Sequence, residues 1–239
     1  MTVDEPNNTP LHAPLYPSNW DPYACKDNRS LRVLCEGKED EIKRILSYTP
    51  FEFVSNRFMV ATSDFNNCTP IPWMDAFIVI PVRFQGLSGG YYAYMYEDND
   101  AAIAAGREMW GYPKKFATTK LEEKGNHVSA VVERKGVKLI EVELTVTGDA
   151  MPELPILMPV LLLQVIPNAG KGIFLKRVIS TDNPPTFATK SEKTGRANVS
   201  FGKLDSDPLY KLGPTKVLGG MYRIGDFEKR GWPKVLKTL

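Results

Sequence analysis

Histidine is what this chain has least of: two residues in 239, His12 and His127. Both stand far from any cysteine cluster, which argues against a zinc site and against a Ser-His-Asp triad. Cysteine is nearly as scarce. Cys25, Cys35 and Cys68 form an odd set with no metal-type spacing, and reduced, buried thiols in a cytoplasmic protein are the simplest expectation. Long apolar runs are missing as well. The longest, Ile156 to Ile166, is broken by Pro159 and Gln164 and is too short to cross a bilayer, so no membrane partner is expected. Met1 to Asn8 carries Asp4 and Glu5 and no apolar stretch, which does not read as a signal peptide. Charge of one sign is not in excess either. Thirty Lys and Arg face 28 Asp and Glu, scattered rather than clustered, and a nucleic-acid partner is not expected. Any chemistry therefore falls to Lys, Asp, Glu, Arg or Tyr.

What is present is β-strand material. Ala76-Phe77-Ile78-Val79-Ile80-Pro81-Val82 is apolar and largely β-branched, and Tyr91 to Tyr96 returns beside it after a Gly-containing turn. Strands are also expected at 31–36, 57–61, 127–133, 137–147, 161–166, 172–178, 195–203 and 218–223, with a loop at 66–70. Leu139 to Val146 has the clearest alternation. Helices are expected at 39–46, with acids in its first turn, and at 101–105 behind the Asp98-Asn99-Asp100 cap. Residues 1–22, with five prolines, read as an irregular arm lying on the body or on a neighbouring subunit. Residues 23–239 show no linker and read as one domain. The fold class is α+β, predominantly antiparallel β: a single-domain closed or nearly closed β-barrel or cone with a few short helices.

One stretch carries chemical interest: Gly106-Arg107-Glu108-Met109-Trp110-Gly111-Tyr112-Pro113-Lys114-Lys115-Phe116. A lysine is a nucleophile only when uncharged, and burial or a nearby cation brings it there. In an extended segment neighbouring side chains point to opposite faces, so Lys114 and Lys115 are not expected to sit amine to amine. Two charges about 8 Å apart at an effective dielectric of about 20 repel by about 2 kcal/mol, or roughly 1.5 pKa units. Desolvation would have to supply the larger part of any activation.

Gly106-Arg107-Glu108 and Tyr112-Pro113-Lys114-Lys115 resemble the active-site signature of the acetoacetate decarboxylase family, itself a familiar illustration of a lysine activated beside another cation. Asn28-Arg29, Ile80-Pro81-Val82, Tyr94-Met95-Tyr96-Glu97-Asp98-Asn99 and Val165-Ile166-Pro167-Asn168 match further family landmarks. The resemblance implies that Lys114 is a Schiff-base nucleophile, Lys115 its perturbing neighbour and Arg29 the holder of a substrate carboxylate. Asp75 stands where the family has a glutamate. Met59 stands near a second family glutamate, and a thioether can neither carry charge nor move protons. Alternate members of the tyrosine run, Tyr94 among them, are candidates to line a cavity with Trp110, Tyr112 and Phe116. The implied activity is decarboxylation of a small keto acid without metal or organic cofactor, in a homo-oligomer. Two alternatives stay open: a Schiff-base aldolase, dehydratase or cyclase acting on a larger keto acid, and a ligand-binding β-barrel without catalysis.

Overall fold

Fifteen strands account for most of the chain in a computed structural model that describes residues 7–181 and 186–239. The reading of Met1 to Asn8 thus falls almost wholly outside the described residues. The first half contributes β1 (Tyr23–Glu36), β2 (Glu52–Phe53), β3 (Arg57–Asp64), β4 (Cys68–Thr69), β5 (Met74–Phe84) and β6 (Leu87–Glu97). The middle adds β7 (Lys114–Phe116), β8 (Thr118–Lys124), β9 (His127–Arg134), β10 (Val137–Val146) and β11 (Val160–Pro167). The last part holds β12 (Ile173–Thr181), β13 (Thr186–Phe201), β14 (Lys216–Lys229) and β15 (Lys234–Thr238). Helices are short: α1 (Glu39–Leu46), α2 (Asp100–Ala105) running into a π-helical turn at Gly106–Trp110, and a 3-10 turn at Leu209–Lys211. Among the described residues, no helix is long and apolar enough to cross a membrane.

The strands form one sheet in the order β15-β12-β11-β6-β5-β3-β1-β14-β13-β10-β9-β8, with β2 on β5, β4 on β1 and β7 on β6. All pairings are antiparallel except β6 with β11 and β6 with β7. The expected predominance of antiparallel strands holds, but the closed barrel does not. The order ends in β15 on one side and β8 on the other, and β8 comes against β3 and β5 without pairing to them. Closure needs a hydrogen-bonded ladder between the two edges, so this is a curled, open sheet.

Curling creates two interiors, and β5 is buried on both faces because it borders each. One face of β5, with Ala76, Ile78, Ile80 and Val82, joins Leu31, Val33, Val60, Val128, Ala130, Val142 and Leu144 in the main core. The other, with Phe77 and Val79, packs with Ala61 and Met95 and borders a cavity. Of the arm, residues 7–22 contain no helix or strand. It lies on the body, where Tyr16 and Trp20 are buried against Ala101, Ala102 and Ala105 of α2.

The cysteine expectation is corrected. Cys25 of β1 and Cys68 of β4 face each other in register and form a disulfide, and only Cys35 is a free, buried thiol. Nothing in the sequence spacing marked this pair, because the contact depends on a strand of two residues inside what reads as a loop.

Candidate active site

A cavity of about 620 Å³ opens against the second face of β5, walled by β1, β3, β6, the turn after α2 and the segment around Leu157. Lys114 reaches it from β7. Asn99 caps α2 by accepting a hydrogen bond from the Ala102 amide at 3.0 Å, and the helix then widens into the π-helical turn. Gly111 stops that turn at φ 75°, where a Cβ would meet the Gln164 backbone at 2.6 Å. Pro113 then carries the chain into β7. Gly106 has a different job: any Cβ there would run into the aliphatic stem of Lys114. The glycine of the Gly-Arg-Glu motif is the slot through which the lysine passes.

The Lys114 side chain is 7% exposed, and its Nζ lies 2.5 Å from Glu97 Oε1. It also donates to the Ala102 carbonyl at 3.2 Å. The Trp73 and Tyr112 rings sit 5.0 and 5.5 Å from the amine, within cation–π range. Glu97 is fully buried, and the register of β5 and β6 pairs it directly with Asp75, which is also buried. Burial first, and the Glu97 charge second, push the Asp75 carboxyl well above the usual carboxylate range, with Lys114 pulling the other way. Glu97 is likewise raised by burial, the Lys114 charge and hydrogen bond pulling it back. Asp75 Oδ1 has no hydrogen-bond partner.

The residues expected from sequence divide into two groups. Lys114, Asp75, Met59, Trp110 and Tyr112 all line the cavity. Lys115, Arg29, Tyr94 and Phe116 do not. Alternation sends Lys115 to the opposite side of β7, where its Nζ pairs with Asp207 at 2.6 Å and donates to the Ser206 carbonyl at 3.2 Å. Its charge is matched there, and the charged group in contact with the Lys114 amine is the Glu97 carboxylate.

Arg29 is spent on Asp64, to which both its Nε and Nη2 donate. The cavity side of β1 presents Asn28 and Arg32. Arg32 donates from Nε to Ser30 Oγ at 3.0 Å, and burial, followed by Arg223, pushes its guanidinium down to about 10. Tyr94 packs toward the main core because β6 carries a bulge. Ile78 opposes Tyr94 but Val79 opposes Tyr92, leaving Ala93 as the extra residue and inverting the alternation. Tyr92 therefore faces the cavity before the bulge, and Met95 after it. Phe116 is 56% exposed at the end of a three-residue strand, where the chain has already left the wall.

Reading the sequence also missed Glu97, Lys229 and the tryptophans Trp20, Trp73 and Trp232. Glu97 lay inside one of the matched landmarks, and its signal was an acid on the last position of an aromatic strand, ahead of the Asp98-Asn99-Asp100 cap. Lys229, at the end of β14, carried no signal. It lines the cavity, and burial, then the nearness of Lys114, lowers its ammonium to about 8.

Fold and site together define a β-rich protein with a buried lysine set between carboxylates in an aromatic cavity. The chain belongs to the acetoacetate decarboxylase family, whose model, described as acetoacetate decarboxylase (ADC), matches residues 8–236. Acetoacetate decarboxylase 1 of Bradyrhizobium diazoefficiens is 61% identical over 44 residues, 18% of either chain. The acetoacetate decarboxylase of Burkholderia cenocepacia is 29% identical over 138 residues, 54% of this chain and 52% of the relative. The matches thus span about half or less of these curated relatives. A solved acetoacetate decarboxylase structure superposes with a TM-score of 0.87 at 20% identity, over 100% of this chain and 99% of its own. The enduracididine biosynthesis enzyme MppR, solved with the condensation product of pyruvate and imidazole 4-carboxaldehyde, does so at 0.77 and 15% identity, over 97% and 96%. At these identities the structural likenesses speak to the fold alone.

Proposed function

We propose that the protein decarboxylates a β-keto acid through a Schiff base on Lys114. The observation that carries this reading is the amine itself, enclosed by Trp73, Tyr112 and Glu97 at the wall of a cavity large enough for substrate. Glu97 takes a proton from the amine, which adds to the ketone. Loss of water gives an iminium, and Glu97 is placed to return the proton that water needs. The bond to the carboxylate carbon then breaks, CO₂ leaves, and its electron pair passes into the iminium to form an enamine. No separate electron sink is needed. Asp75, held protonated by burial and by Glu97, supplies the proton to the enamine carbon. Water hydrolyses the resulting iminium, releasing the ketone and the lysine. Arg32 takes the carboxylate-holding part that the resemblance would give Arg29, since its guanidinium faces the cavity and Arg29 is committed to Asp64.

Glu97 also answers the puzzle of Met59. The second acid comes from β6 instead of β3, and Met59 serves as apolar wall. A second reading, condensation or dehydration of a larger keto acid at the same lysine, is favoured by the cavity's size and by the ligand named for MppR. Borohydride reduction in the presence of acetoacetate should add a ketone-derived mass to the peptide bearing Lys114. A label on another residue, or no label, would sink the Schiff-base proposal. Gas release separates the two readings, because a condensing enzyme would be trapped without liberating CO₂.

A further inference from the structure

Two cations besides Lys114 line the cavity, and only Arg32 has been given a part in the chemistry. Arg32 lies on β1, opposite Met221 of β14; Lys229 lies on β14, opposite Tyr23 of β1. From Met221 to Lys229 the strand advances eight residues, on the order of 26 Å at extended spacing. The two side chains therefore enter the cavity from well-separated stretches of β1 and β14, which suits two anions on one ligand better than one small carboxylate. Their surroundings agree. Arg32 feels Arg223, Tyr92 and, at longer range, Glu192; Lys229 feels Lys114. Among the described residues, no carboxylate lies at ion-pair distance from either head. Both residues are half-buried, and a partly enclosed cation with no carboxylate in contact favours a ligand that brings one.

The space between them is too large for a four-carbon acid. A volume of about 620 Å³ falls within the range of roughly 300–1,000 Å³ that holds drug-sized ligands. The Lys229 end is walled by aromatics: Trp110 and Trp232 stack at 6.0 Å with 8° between planes, and Trp20 meets Trp110 edge-on at 5.6 Å. Flat apolar walls with one cation suit a short carbon chain ending in an anion.

We propose that the substrate is a keto acid with a second anionic group, one anion seated on Arg32 and the other on Lys229, with the ketone between them at Lys114. This rests on the Schiff-base reading for the position of the ketone. Lys229 is then a specificity-determining residue. With its ammonium lowered to about 8, it still carries its charge in most molecules at pH 7.

The test compares 3-oxoadipate with 3-oxohexanoate, β-keto acids of equal carbon count that differ in the second carboxylate. The protein should prefer the diacid in kcat/KM for CO₂ release by on the order of 10- to 100-fold, the worth of one charged hydrogen-bonded contact. Lys229→Met should reduce that preference at least about tenfold, and Lys229→Arg should retain most of it. Calorimetric binding of saturated diacids from succinate to suberate, each against its monoacid, requires no Schiff base and provides the independent arm. A borohydride adduct on Lys114 with both keto acids, but no Lys229-dependent preference in either assay, overturns the second anion seat and leaves the Schiff base standing. A Lys229-dependent preference for a saturated diacid without any adduct supports the seat and overturns the Schiff base. Absence of both overturns both.

Discussion

Lys115 shows how far a single side chain's orientation governs what it can do. The repulsion of about 1.5 pKa units worked out for a free neighbouring ammonium is an upper bound, since Asp207 holds Lys115 at 2.6 Å on the other side of the strand. Lys115→Cys should therefore move the pH–rate profile by less than about one unit. A shift of several units would show that Lys115 acts on Lys114 despite the geometry. Asp75 gives a prediction of stability. Burial, then Glu97, raises its folded pKa above the ordinary 3.8. Such a group adds stability that is fully present below the unfolded value and is lost as pH climbs through the folded one. Asparagine, uncharged throughout, has no such loss. Asp75→Asn should melt higher than the parent chain at neutral pH, by about 2–4 °C for each kcal/mol recovered, with the gap closing toward pH 4. Calorimetry at stepped pH reads this, and a gap independent of pH would contradict it. The same substitution should slow turnover, because the proton donor is gone.

At the scale of elements, small irregularities of backbone choose which residues reach the cavity. Strand alternation predicted that Lys114 and Lys115 would part company, and they do, because a period of two survives even in the three-residue β7. The same rule failed for Tyr94, since the bulge at Ala93 inverts it halfway along β6. On β1 the expectation fell on Arg29, and the structure turns Arg32 into the cavity instead. An irregular register between Cys25 and Asn28, with Asp27 at φ 50°, sets which arginine faces in. Bulges of this kind have no compulsory sequence mark, so the motif pointed to Arg29 where the register presents Arg32. The turn after α2 is the opposite case, where a motif residue acquires a physical reason. Gly106→Ala should displace the Lys114 stem, cost about 1–3 kcal/mol as overpacking, and reduce borohydride labelling of Lys114 more than it lowers the melting temperature. Labelling as complete as in the parent chain would show that the slot is not needed.

For the whole molecule, the open sheet leaves apolar side chains at its margin. Ile173 and Phe174 of β12 are 56% and 75% exposed, and Val165 of β11 is 42% exposed nearby. We propose a homo-oligomer that covers this margin, as the family resemblance leads one to expect. Light scattering should give a mass well above the 26.8 kDa of one chain, and Phe174→Glu should lower it. A monomer mass for the parent chain would refute the proposal. The disulfide between Cys25 and Cys68 also belongs at this scale. It ties β4 to the first residues of β1, and it removes the argument for a reducing compartment that scattered cysteines had suggested.

The sequence by itself determined the β-rich class, α1 and the capped α2, the family, and a lysine that the structure sets in the cavity wall. All of these rest on local preferences or on contiguous motifs. Alternation, capping and the Gly-Arg-Glu and Tyr-Pro-Lys-Lys runs act over a few residues and can be read along the chain. Tertiary structure alone decided the partners of that lysine. Glu97 comes to it through the parallel pairing of β6 with β7, Asp75 through the register of β5 with β6, Arg32 through a register shift, and Lys229 from the far end of β14. Those contacts join residues far apart in sequence, and a one-residue slip at any bulge would turn a different side chain inward. The open edge of the sheet was likewise settled only by long-range pairing, because no local rule states whether the last strand meets the first.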